Sequence, residues 1–313
     1  MDARTPAFEP VRHEPLPTYH GRPAVKPSLY GWTVALYIYV AGLAAGLQIV
    51  VTAAQLLAIP GSEPVAFAGR AIVLFGAVLG GILLIADLHT KQRFYNMLRI
   101  FRPTSPMSIG TYALMGFGFW SLMAFVVQAF HLQLPALVFG CLAAATGWWM
   151  TTYTAALQGS TATPLWAGAP KLLALRYASS AMATGAAAAC LIALGLAPAS
   201  GLARAFGNLA ALAILVEAAG TIGWRMILRR IGVYEPLQER PWGAVHGAGA
   251  GLFGLAVPFV LFILANFFTP AWAFALPAAI CVLIGGLLMY GSVMLAGNES
   301  ARRPQDYFRF AQG

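Results

Sequence analysis

YGWTVALYIYVAGLAAGLQIVVTAAQLL, residues 30–57, decides the fold. A run of about 20 apolar residues is enough to cross a bilayer core as a helix, and this stretch is longer and carries no charged side chain. Working outward from it, seven more such runs lie near 66–86, 108–130, 135–157, 171–196, 203–228, 244–267 and 271–296. The composition agrees: 59% of the chain is hydrophobic and 9% is charged, against roughly 25% charged in a soluble domain. Only helices and closed barrels satisfy their backbone in lipid. These runs are too long and too rich in Ala, Leu and Gly for the alternating strands of a barrel. The expected fold is an all-α integral membrane protein whose eight transmembrane helices form two four-helix bundles, 30–157 and 171–296, joined by a loop at 158–170.

Residues 1–29 are proline-rich, have no apolar core and are no signal peptide. They read as an extramembrane cap, and 297–313 as a polar tail. No extramembrane segment is large enough for a domain, so a soluble catalytic module is expected on a separate chain. Eight spans put both ends of the chain on one side, which holds 17 of the 19 Lys and Arg residues; Arg70 and Arg204 face the other. By the positive-inside rule that side is cytoplasmic, and the net charge of +9 needs no nucleic-acid partner beyond the anionic lipid of the bilayer.

Cys141, Cys190 and Cys281 are scattered within helices, which excludes an internal iron–sulfur or zinc site by ligand count. His13, His20, His89 and His131 lie at span ends or outside, and only His246 enters a span, so paired haem ligands are missing. No bound metal, haem or cluster is expected. Glycine pairs at four-residue spacing, Gly42 with Gly46, Gly76 with Gly80 and Gly247 with Gly251, read as helix-packing notches. The run HGAGAGLFG at 246–254 lacks the GK[ST] of a phosphate loop and reads as packing too.

Polar side chains inside spans are the default site candidates. Thr33, Tyr37, Gln48 and Gln55 share one face of the first span at 100° per residue. Tyr153 near the end of the fourth span, and Asp87 and His89 at the end of the second, stand on the same side of the membrane as Tyr37. Such a set can hold the oxygens of a quinol and take its proton, with Asp87, His89 and, in the second half, Glu217 as proton-transfer candidates. The plainer alternative pairs Asp87 with Lys91 or Arg93 and makes the tyrosines interface-belt residues. Arg176 and Glu217 are read as a buried ion pair joining two helices, or as part of a proton path. After Asp87, the residues Phe94, Leu98 and Phe101 give an amphipathic helix lying in the interface, followed by Ser105 as N-cap and Pro106 at the first helical position of the third span.

Two loops carry a family resemblance. DLHTKQRFYNMLRIFRPTSPMSIG at 87–110 and YTAALQGSTATPLWAG at 153–168 resemble the signatures of the NrfD/PsrC-like polysulfide reductase membrane subunits, and YGWTVALYIYVAGLAAG and TYHGRPAVKP fit as well. The resemblance covers the first half of the chain and is weak in motif in the second. It implies two four-helix bundles with no cofactor of their own. It also implies an iron–sulfur, ferredoxin-like electron-transfer partner, often with a molybdopterin catalytic subunit, and a menaquinone- or ubiquinone-type ligand in the first bundle. The family's quinone-binding tyrosine falls on Tyr153 and its acidic loop residue on Asp87, while the first-span Asn and His of the polysulfide reductase fall on Val34 and Tyr37. The basic loop residues Arg93, Arg99 and Arg102 are candidates for docking the partner. In well-understood relatives this loop face is external, opposite to what the charge count gives here. Two other readings compete: a secondary transporter or proton translocator, which predicts discontinuous helices at mid-membrane, and a passive anchor for a soluble reductase.

Overall fold

The computed structural model describes residues 30–87, 91, 99, 102 and 104–312. The expected N-terminal cap, His89, Arg93 and most of the amphipathic segment at 88–103 lie outside the described residues. Among the described residues, eight helices are long and apolar enough to cross a membrane: α1 (Trp32–Leu56), α2 (Ser62–Asp87), α3 (Pro106–Ala129), α4 (Gln133–Gly159), α5 (Pro170–Leu196), α6 (Leu202–Ile231), α7 (Trp242–Phe267) and α8 (Trp272–Arg302). A short helix, α9 (Pro304–Gln312), follows the last span. Large apolar side chains such as Phe75, Ile82, Phe119, Leu212 and Ile284 point outward. Water would oppose this, and lipid tails favour it.

Neighbour contacts close a ring through α1, α2, α3 and α4, and a second through α5, α6, α7 and α8. α1 belongs to more than its own ring, because it also packs along α5 and α8. Small residues make this possible. A Cβ added at Gly46 would lie 1.9 Å from the Ala181 carbonyl oxygen, and one at Gly185 would lie 2.2 Å from the Gly46 carbonyl carbon. The α1–α5 crossing is therefore a contact of backbone on backbone. α7 and α8 touch in the same way at Gly254 and Gly285.

Three segments depart from the sequence expectations. The connecting loop at 158–170 is partly helical and buried. Its one-turn helix Pro164–Ala167 buries Leu165 and Trp166 completely, and Trp166 Nε1 donates to the Val293 carbonyl at 2.9 Å. Gly297 makes room, since a Cβ there would sit 2.1 Å from the indole. The last span continues as helix to Arg302, where a basic residue in the final turn suits the negative end of the helix dipole. At the start of α3, Pro106 occupies the first helical position after Ser105, as expected. The Ser105 side chain makes no capping bond; instead Ser108 Oγ accepts from the Arg102 N–H at 2.9 Å.

α7 changes winding along its length, from Trp242–Ala244 through a π-helix over Val245–Ala256 to an α-helix over Val257–Phe267. Pro258 has no N–H to give to residue 254, and its ring would crowd that carbonyl in α geometry. A wider turn before the proline relieves both.

The tail is held by ion pairs. Arg303 pairs with Glu239, and Arg309 pairs with Glu235 at 2.7 Å while donating to the Gly232 carbonyl at 2.9 Å. The Arg303 guanidinium holds the Glu239 carboxyl below its ordinary range. These pairs are exposed and salt-screened, so the expectation is local. Arg309→Ala should speed amide exchange over 304–312 and leave α1–α8 unchanged; equal acceleration in the spans would show that α9 supports the whole domain.

Candidate functional site

The first half ends, on the side where α1 begins, in four converging polar groups. The first turn of α1 places Thr33 beside the last residue of α2, and Thr33 Oγ1 donates to Asp87 Oδ1 at 2.7 Å. One turn further in, about 6 Å at 1.5 Å per residue, the hydroxyls of Tyr37 and Tyr153 are 2.7 Å apart and share a hydrogen bond. Both rings are buried, Tyr37 at 3% exposure and Tyr153 at 8%. Gly110, in the first turn of α3, is the reason Tyr153 fits: a Cβ there would lie 2.0 Å from its ring. Gly80 of α2 backs the Tyr37 ring at ordinary contact distance. The group thus runs from a partly exposed carboxylate to two dry phenols. Each phenol has one proton and can both donate and accept, so the pair can bind a carbonyl or a hydroxyl. Val34, beside Tyr37, is buried and apolar.

Gln48 does not join this group. It lies eleven residues beyond Tyr37 on α1, about 16 Å along the axis, and belongs to a second polar network near the other membrane face. Gln48 Nε2 donates to Thr52 Oγ1 at 2.9 Å and to the Gly140 carbonyl at 3.3 Å. Next to it, Arg70 Nη1 donates to Gln128 Oε1 at 2.5 Å, and Arg70 Nη2 donates to Gln55 Oε1 at 2.7 Å and to the Ala136 carbonyl at 3.2 Å. This network joins α1, α2, α3 and α4 through a fully buried guanidinium. Arg70 is consequently not a loop charge, and of the two residues counted against the basic side only Arg204 is exposed.

On the basic side, Lys91, Arg99 and Arg102 are exposed. In the second half, Arg176 and Glu217 line one cavity of about 490 Å³, but the expected ion pair between them is not formed. Among the described residues the ion pairs are the two of the tail. Arg176 instead lays its guanidinium over the Trp224 ring, 4.6 Å from the centroid, and its Nε and Nη1 have no hydrogen-bond partner.

Sequence reasoning missed a buried aromatic run between the halves. Tyr290 stacks on Tyr177 at 4.8 Å and meets Tyr39 edge-on at 6.1 Å; Tyr177 OH donates to Gln158 Oε1 at 2.8 Å. It also missed Thr221 and Arg225, which line the cavity beside Glu217. A signal was present: 217, 221 and 225 recur every fourth residue and so share one face of α6.

A search of curated proteins finds no match to this chain. The family model described as polysulphide reductase, NrfD matches residues 23–299. That span takes in all of α1 to α7 and nearly all of α8, the weakly marked second half included, and the chain belongs to the NrfD polysulphide reductase family.

Proposed function

We propose that this chain is the quinone-reactive membrane subunit of an oxidoreductase complex in a bacterial cytoplasmic membrane. It passes electrons between a quinone pool and an iron–sulfur partner subunit and catalyses nothing alone. The observation that carries the reading is the buried Tyr37–Tyr153 hydroxyl pair one turn below the Thr33–Asp87 bond. Two phenols can orient the oxygens of a quinol ring, and Asp87, closer to water, can receive its proton and release it. The ligand of this reading is a menaquinone- or ubiquinone-type ring arriving through the bilayer, and the exposed Arg99 and Arg102 offer an acidic partner a docking surface on the same end. Membership of the NrfD family supports the assignment to an oxidoreductase complex. A molybdopterin catalytic subunit beyond the iron–sulfur protein, and cytoplasmic placement of this end by the charge count, complete the proposal. The rival transporter reading expects helices broken at mid-membrane; here the change in α7 is one of winding, without a break.

The test is a titration of the purified full chain with a fluorescent quinol analogue. Tyr153→Phe removes one hydrogen bond to the ring, so binding should weaken about two- to tenfold, and Asp87→Asn should weaken it as well. Wild-type affinity in both variants would leave the chain a passive anchor.

A further inference from the structure

The cavity in the second half has no part in the site above, and its walls are unusual for a membrane interior. Arg176 enters from α5, Glu217, Thr221 and Arg225 from α6, and His246 from α7. Glu217 lies at the midpoint of α6 (Leu202–Ile231), so the polar wall extends to the depth of the hydrocarbon. Arg176 and His246 are 1% and 2% exposed, and the Nε and Nη1 of Arg176 and the Oγ1 of Thr221 are without hydrogen-bond partners. Arg225 is already engaged, donating from Nε to Tyr234 OH at 2.5 Å. His246 Nδ1 is 3.0 Å from Ser292 Oγ. Unsatisfied groups at this depth are costly, which is what a site shaped for a polar ligand head presents.

The remaining lining is apolar. Leu215, Ile222 and Leu252 stand on the cavity rim about half exposed, on the lipid-facing surface. The opposite wall is the π-helical part of α7, a winding that is rare and concentrated at functional sites. The glycines there behave differently from their neighbours. Gly249 and Gly254 pack against Leu288 and Gly285, as the packing expectation for this run requires. Gly247 has open space where a Cβ would stand, and Gly251 has only the His246 carbonyl at 3.5 Å. Both line the cavity, so on this face the missing side chains leave room rather than a helix notch.

We infer that this cavity is a second ligand site, opening sideways to the bilayer, for a lipid-soluble molecule of the quinone and quinol class. The head such a molecule carries is neutral and both accepts and donates hydrogen bonds. Arg176 and Thr221 can donate to a ring oxygen, Glu217 can accept from a ring hydroxyl, and the tail leaves past Leu252 and Ile222 into lipid. A phospholipid headgroup fits less well. Its phosphate would face the Glu217 carboxylate, and the polar wall reaches mid-bilayer, below where headgroups anchor. The volume of about 490 Å³ is within the range of small-molecule sites. The proposal concerns binding, and its evidence is independent of the tyrosine pair in the first half.

The experiment is photolabelling of the full chain in phosphatidylcholine nanodiscs with an azido-substituted, short-tailed quinone, with labelled peptides mapped by mass spectrometry. Label is expected on peptides covering 203–231 and 243–259, and excess unlabelled quinone should compete it away. Gly251→Leu places a side chain into the cavity, its Cβ at ordinary contact distance, 3.5 Å, from the His246 carbonyl, and favours helix locally. It should cut this labelling at least about tenfold and leave first-half labelling unchanged. Thr221→Val, which removes one donor at similar volume, provides the same readout should Gly251→Leu fold poorly. Tyr153→Phe should do the reverse, lowering label in the first half only, so either site can fail alone. Two results overturn the inference: no competed label in the second half of the wild-type chain, or label there that added phosphatidylglycerol displaces and unlabelled quinone does not.

Discussion

A Gly185→Val chain should not be recoverable as a folded monodisperse protein. The new Cβ would stand 2.2 Å from the carbonyl carbon of Gly46 and 2.3 Å from the Leu47 nitrogen, and these are backbone atoms of a helix enclosed on several sides. A crowded side chain can rotate away; a helix backbone has to translate. Overpacking costs about 1–3 kcal/mol when side chains can adjust, and more when they cannot, so the upper end or beyond is expected against a total stability of about 5–15 kcal/mol. Gly195→Ala in the same helix is the control. Nothing lies within 4 Å of its Cβ position, and alanine favours helix, so its melting temperature in detergent should equal or exceed wild type. A wild-type melting temperature for Gly185→Val would mean that the α1–α5 contact is looser than described.

Arg70→Met is the second large effect. Methionine has comparable reach and no donor, so Gln55, Gln128 and the Ala136 carbonyl would each lose the bond they accept from the guanidinium. Removing a buried charge recovers its desolvation cost, which works in the opposite direction. The two glutamine oxygens, orphaned at about 1–3 kcal/mol each, outweigh that gain, while the Ala136 carbonyl keeps its place in the helix ladder of α4, and a net loss of about 2 kcal/mol or more is expected. Arg70→Lys should fall between, because one ammonium cannot reproduce a planar fork serving three acceptors. Adding Gln128→Leu to Arg70→Met should cost less than the two single changes together, since the glutamine has already lost its partner. Quinol-analogue binding to whatever folds should be unchanged, because this network and Tyr37 stand at opposite ends of α1. Additive losses, or a stable Arg70→Met chain, would show that the network contributes little.

The eight spans were readable because hydropathy over twenty residues integrates many weak preferences into one strong one. The site was readable only in part. Thr33, Tyr37, Gln48 and Gln55 do lie on one face of α1, but a helical angle gives direction and not depth. Two of them meet Asp87 and Tyr153, while the other two join or flank the Arg70 network about three to five turns away. Arg176 and Glu217 looked like a pair from their signs alone. The sequence could not show that Trp224 would present its ring to the arginine first. The glycine run at 246–254 reads uniformly as packing in sequence, yet it has two faces, and only the packed arrangement distinguishes the glycines that touch α8 from those that leave a cavity. Pro258 was the available clue that the helix before it would unwind.

The enclosure of α1 has a consequence for biogenesis. It is the most buried of the spans, yet α4, α5 and α8, which cover it, are synthesised after it. While the ribosome is still making them, the hydroxyl of Tyr37 and the amide of Gln48 have only α2, lipid or the insertion machinery as neighbours. Nascent chains arrested before α4 should therefore stay bound to that machinery, and release into the bilayer should wait until α4, which carries Gly140 and Tyr153, has emerged.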